Sequence, residues 1–129
     1  MVYPVYDINN AQRNTVPHMV CDSGASHNFT KPDHVPYLKN VRPLQHGPTA
    51  TLPNKTVIQA SHDAHLSYNF LSPKASNTLV YPQLQNESLL SIAQLCDDNC
   101  LALFSKDFLH IFKHDQLVLT GTRNCDDGL

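Results

Sequence analysis

The group best placed to do chemistry is Asp22, in the segment Cys21-Asp22-Ser23-Gly24-Ala25-Ser26. An apolar run, His18-Met19-Val20-Cys21, stops at this carboxylate. A carboxylate delivered by a buried strand is costly unless it is hydrogen-bonded or shared. Gly24 lets a main-chain N–H approach it closely, and the Ser23 hydroxyl can brace the turn. These are the parts of an aspartyl dyad, in which two close carboxylates share one proton and hold a water. One acts as base toward the water, and the other donates to the carbonyl being attacked. By itself an Asp-Ser-Gly triplet is also an ordinary turn or helix N-cap. The apolar strand before it and the small Ala25-Ser26 after it favour the chemical reading. The sequence holds one such segment, so the second carboxylate must come from another copy across a two-fold axis. Ala25 has no hydroxyl to lower the dyad's pKa, which predicts coupled titration and an optimum near about pH 5–7, not about pH 2–4.

Other constellations compete. Cys96-x3-Cys100-x9-His110-x3-His114 has zinc-binding residue types, but the gap between the pairs is shorter than the finger's usual dozen or so. A zinc site there would make the chain a small interaction module. Cys21 with a histidine would make a thiol hydrolase, yet its place in the apolar run points it away from Asp22. Asp97-Asp98 and Asp126-Asp127 read as solvated turns, because adjacent side chains point apart. No metal and no cofactor is expected. The eight histidines read as scattered surface and loop positions, whose protonation below about pH 6 would turn the net charge positive.

The elements that must position Asp22 belong to one domain, residues 1–129. Hydrophobic content of 41% and charged content of 16% describe a folded chain. Nine prolines and four glycines favour short strands and turns over long helices. A net charge of -2 without a basic block excludes nucleic acid as a partner. No apolar stretch reaches the roughly 20 residues that span a bilayer, and MVYPVYDINN lacks a leader pattern. The expectation is a cytoplasmic chain, with its four cysteines as free thiols.

Residues 1–14 read as an N-terminal strand, terminal or at a sheet edge, broken by Pro4, and then a loop. The stretch 27–48 reads as loop with a strand near Val41–Leu44. Thr49–Leu52 and Thr56–Ala60 flank Pro53-Asn54-Lys55 and read as a hairpin. Ala64–Phe70 and Thr78–Tyr81 are further strands. Residues 88–96 form the one expected helix, with Leu89, Ile92 and Cys96 on one face. Residues 101–123 give additional strands, and 124–129 a polar tail.

Val20-Cys21-Asp22-Ser23-Gly24-Ala25-Ser26-His27 resembles the active-site segment of the retropepsin-like aspartic proteases in copia-type LTR retrotransposon Pol polyproteins. A second block, Leu79–Leu84 followed by Ser88–Asp97, is similar to their downstream strand-then-helix block. The resemblance spans about residues 18–123. It implies an all-β fold, a closed β-barrel subunit with one short helix, assembled as a symmetric homodimer. Asp22, Ser23 and Gly24 are then catalytic, with the Ser23 hydroxyl reaching the partner's backbone. Leu52, Pro53, Asn54, Lys55 and Val57 belong to a substrate-binding flap. Ala25, Leu89, Leu90 and Ser91 support the active-site loop from below. The family usually carries glycines in the flap turn and the next strand. Here Pro53-Asn54-Lys55 and Ala60-Ser61-His62 replace them, which implies a stiffer flap. Residues 101–123, beyond a minimal viral protease, imply extra strands or an altered dimer interface. The implied substrate is a polypeptide, its own Gag-Pol polyprotein, cut in the cytoplasm or within a virus-like particle. A silent dimerisation or peptide-binding module on the same fold would keep the same three residues.

Overall fold

A computed structural model describes residues 2–7, 16 and 19–122, the first six by backbone path alone. In chain order the elements are β1 (Val2–Asp7), β2 (Met19–Asp22), β3 (Asn28–Thr30), a 3-10 turn (Pro32–Tyr37), β4 (Lys39–Pro43), β5 (Thr49–Thr51), β6 (Val57–Gln59) and β7 (His62–His65). Then come α1 (Pro73–Ser76), β8 (Asn77–Val80), β9 (Ser88–Ser91), α2 (Ile92–Asp97), β10 (Cys100–Phe104), β11 (Phe108–Lys113) and β12 (Gln116–Thr122). The chain is mostly β, as its turn-rich, helix-poor composition suggests.

Ten strands form one sheet in the order β10-β11-β12-β1-β2-β9-β3-β8-β7-β4, and β5 pairs with β6 in a separate hairpin. Met19, Val20 and Cys21 are all buried. That continuous apolar run suits a strand covered on both faces, and β2 pairs in parallel with β9. The register sets Cys21 opposite Leu90 and Asp22 opposite Ser91. β3 and β8 form a second parallel pair, and β3 also meets β9 at Phe29 and Leu89. One apolar cluster lies around Met19, Cys21, Leu90, Leu95, Leu109, Ile111 and Leu119. A second, under the hairpin, gathers Phe29, Ile58, Ala60, Tyr81 and Leu84.

Several expectations change. Among the described residues the sheet is open: β10 and β4 end the strand order, and no pairing closes a barrel. β1 is not an edge strand, because β12 and β2 flank it. Its ladder with β12 covers only Val5–Asp7, so Pro4 borders β2 alone. The stretch 27–48 is not mainly loop, since it contains β3 and the 3-10 turn besides β4. The strand expected over Ala64–Phe70 stops at His65.

The helix expected over 88–96 begins only at Ile92, and residues 88–91 are strand β9. Ser91 ends the strand and caps the helix, accepting from the Gln94 N–H at 3.2 Å. Ile92 and Leu95, not Cys96, are the helix residues that face the core. It is also not the one helix, because α1 precedes it. The loop expected at 9–14 and the tail at 124–129 lie outside the described residues. No helix among the described residues is long and apolar enough to cross a membrane.

Candidate active site

Strand β2 carries Asp22 to the head of the loop 23–27. The Gly24 N–H donates to Asp22 Oδ1 at 2.8 Å, and the Ala25 N–H reaches Asp22 O at 3.4 Å. A Cβ built on Gly24 would sit 3.3 Å from that same Oδ1, so even alanine would press on the carboxylate. The backbone of Gly24 is not left-handed. Its missing side chain serves close approach, not an unusual turn. Asp22 is half-buried, while Ser23 and Gly24 are exposed.

A buried polar frame holds this loop. Ser91 Oγ donates to Ala25 O at 2.7 Å. The Ser91 N–H donates to Asn28 Oδ1 at 2.8 Å, and Asn28 Nδ2 donates to Ala75 O and Asn77 O at 3.0 and 2.9 Å. The Asn28 N–H in turn reaches Gln94 Oε1 at 2.9 Å. Asn28 and Ser91 are fully buried, so each of these bonds covers a group that would be costly to leave unpaired. Ser91-x-x-Gln94 has the form of a capping box, but the Gln94 side chain bonds Asn28 instead of turning back to Ser91.

Above the loop lies a cleft of about 540 Å³, lined on one side by Asp22, Gly24, Ala25, Ser26, His27, Phe29 and Leu89 and on the other by Thr49–Pro53. The hairpin β5–β6 forms that second wall. Its turn runs from Leu52 to Thr56: the Lys55 N–H donates to Leu52 O at 2.8 Å, and the Leu52 N–H to Thr56 O at 2.8 Å. Asn54 Oδ1 accepts from the Thr56 N–H at 3.0 Å. Lys55 takes φ 69°, the left-handed position where hairpins favour glycine. The glycine this hairpin does need is at its base. A Cβ on Gly47 would lie 2.0 Å from Ala60 O, just past the end of β6.

His27 belongs to a cluster of three rings, in which it is tilted 34° from Tyr81 at 6.1 Å. It lies on Phe29 at 4.3 Å and 14°, and Phe29 lies on Tyr81 at 4.8 Å and 20°. His27 Nε2 meets the Tyr81 hydroxyl at 2.9 Å, and its Nδ1 meets Ser26 Oγ at 3.2 Å. Burial holds the His27 imidazole below its ordinary pKa and pushes the Tyr81 phenol up.

Of the residues singled out from the sequence, Asp22, Gly24, Ala25, Leu89, Leu52 and Pro53 share the cleft wall. Leu90 and Ser91 lie beneath it, buried. Asn54 and Lys55 sit at the hairpin tip. Val57 is 62% exposed and does not line the cleft. His27, Asn28, Phe29, Tyr81 and Gln94 were not singled out. The capping signal Ser91-x-x-Gln94 was present to mark Gln94, but nothing local marks Asn28 or the ring stack.

The competing constellations fare differently. Cys21 is fully buried, and burial, then the neighbouring Asp22, pushes its thiol far up, which makes it a poor nucleophile. Cys21, Cys96 and Cys100 are free thiols. Among the described residues no three His, Cys, Asp or Glu side chains gather to hold a metal ion. Asp98 is not a solvated turn residue. It pairs with Lys113 at 2.7 Å, with both side chains nearly buried, and accepts from the Ser72 N–H at 3.1 Å. No family model, curated protein or solved structure matches this chain.

Proposed function

We propose that this chain is one subunit of a homodimeric aspartic endopeptidase that processes the copia-type retrotransposon polyprotein containing it. The observation that carries the reading is Asp22, held by the Gly24 N–H on the floor of a cleft roofed by a hairpin. Among the described residues β5 pairs with β6 alone, which leaves its other edge unpaired, and its residues Thr49–Thr51 line that cleft. An extended polypeptide can add to such an edge through its main chain, which fits a peptide substrate better than a small metabolite.

Each copy supplies one Asp22. With the pair sharing a proton, the ionised carboxylate takes a proton from the bound water while the other donates to the carbonyl oxygen. Water oxygen bonds to the carbonyl carbon. The tetrahedral intermediate then collapses, the C–N bond breaks, and a carboxyl proton passes to the leaving amine. The Gly24 N–H fixes the carboxylate plane, and the Ser91–Ala25 bond fixes the loop.

The test is Asp22→Asn in a cleavage assay on the polyprotein and on peptides from its junctions. The isosteric amide should fold as before and lose at least about a thousandfold in rate, as loss of the general base and acid demands. Processing unchanged in that variant would sink the proposal. Peptide binding without cleavage by the wild-type chain would instead favour the silent peptide-binding module.

A further inference from the structure

The cleft wall at His27 differs chemically from the rest. Both nitrogens of its imidazole are engaged, Nε2 with the Tyr81 hydroxyl and Nδ1 with Ser26 Oγ. The ring therefore has no spare polar atom to offer a ligand. Phe29 covers one of its faces at 4.3 Å. The half-buried residue nevertheless lines the cleft, so what it presents there is the π-surface of a ring fixed in place. Ala50, Leu52 and Leu89 supply apolar walls around the same space.

We infer that His27 is a specificity-determining residue, and that the subsite beside it receives a planar aromatic side chain of the bound polypeptide. This rests on the reading of the cleft as a polypeptide site. His27 and Phe29 lie nearly parallel at 14°, Tyr81 is tilted 34° from His27, and a ligand ring laid on the His27 face opposite Phe29 needs no rearrangement of the three. A ring on a ring gains quadrupole complementarity beyond area burial, which an aliphatic side chain of equal size does not. Tyr81, which is fully buried, holds the His27 ring directly through its hydroxyl, so the surface is pre-organised. Because burial keeps His27 neutral near pH 7, an acidic side chain finds no charge there to pair with.

The experiment separates recognition from catalysis. Peptides carrying phenylalanine or cyclohexylalanine at one position are compared, since the two match in size and only one is aromatic. Binding is read on the full Asp22→Asn chain, and kcat/KM on the wild type. Phenylalanine should be preferred by about three- to tenfold at one peptide position, the worth of an aromatic pair. His27→Leu should bring that ratio to about one, and His27→Phe should keep it. A purely structural strut would weaken both peptides equally in His27→Leu and leave the ratio unchanged, which overturns the inference. So does a wild-type ratio of one at every position. If the wild type cleaves nothing while the Asp22→Asn chain keeps the preference, the endopeptidase reading fails and the subsite stands.

Discussion

At the scale of single residues, two glycines are set by close approach. Gly24 brings an N–H to Asp22, and a Cβ there would press on the carboxylate at 3.3 Å. Gly47 occupies a point 2.0 Å from a carbonyl when given a Cβ. Two ionisable residues make stability depend on pH with the same sign. Burial lowers His27 from 6.5, so the unfolded chain binds that proton more readily. Its contribution is complete above about pH 6.5 and fades as pH falls through the lower folded value. For Asp98, burial acts upward, but the hydrogen bonds from Lys113 and Ser72 outweigh it and hold the carboxyl below 3.8. That contribution is present above pH 3.8 and is lost further down. Urea denaturation at pH 7.5, 5 and 3 should show stability falling at each step. His27→Phe should flatten the first step, and Lys113→Met the second. Stability that rises on acidification would contradict both assignments.

At the scale of elements, the loop 23–27 that follows Asp22 hangs on the junction between β9 and α2. Ser91→Ala removes the hydroxyl that bonds Ala25 O and caps the helix. It should cost about 1–3 kcal/mol of stability and lower kcat more than KM, read by denaturation and steady-state kinetics. A loss confined to stability would mean that the loop holds its shape without this bond. The hairpin makes a second case. Lys55 in the left-handed region carries a strain of about 1 kcal/mol that glycine avoids. Lys55→Gly should therefore leave stability unchanged or raise it by up to about 1 kcal/mol, while hydrogen exchange at the tip quickens. A clear destabilisation would show that the lysine side chain anchors the turn.

These elements also mark what was legible in the sequence. The run Met19-Val20-Cys21 announced a buried strand ending at Asp22, and the β-rich pair around Pro53-Asn54-Lys55 announced the hairpin. Local pattern was enough because each depends on neighbours in sequence. Residues 88–91 misled because Ser-Leu-Leu-Ser suits helix or buried strand alike, and the parallel partner that decides it, β2, lies about 70 residues away. Asn28 and the rings of His27, Phe29 and Tyr81 were invisible for the same reason. The bonds of Asn28 to Gln94 and Ala75, and of His27 to Tyr81, reach 47 to 66 residues along the chain. Asp98 read as a free turn carboxylate until Lys113 was seen beside it.

At the scale of the whole molecule, one chain carries one Asp22 loop and one β5–β6 hairpin over it, which on the proposed function is half of a two-carboxylate site. A site completed by a second copy loses activity on dilution as the dimer dissociates. The exposed Leu101, Leu103, Phe104 and Phe108, on β10 and β11, offer apolar surface that such an assembly can cover. The most direct test of the shared site mixes wild-type chain with Asp22→Asn chain at fixed total concentration, after co-refolding so that subunits pair at random. If activity needs Asp22 from both members of a dimer, it follows the square of the wild-type fraction, and an equal mixture keeps about a quarter of the full rate. An equal mixture that keeps half, in a straight line with composition, would show that a single chain holds the whole site and would contradict the account.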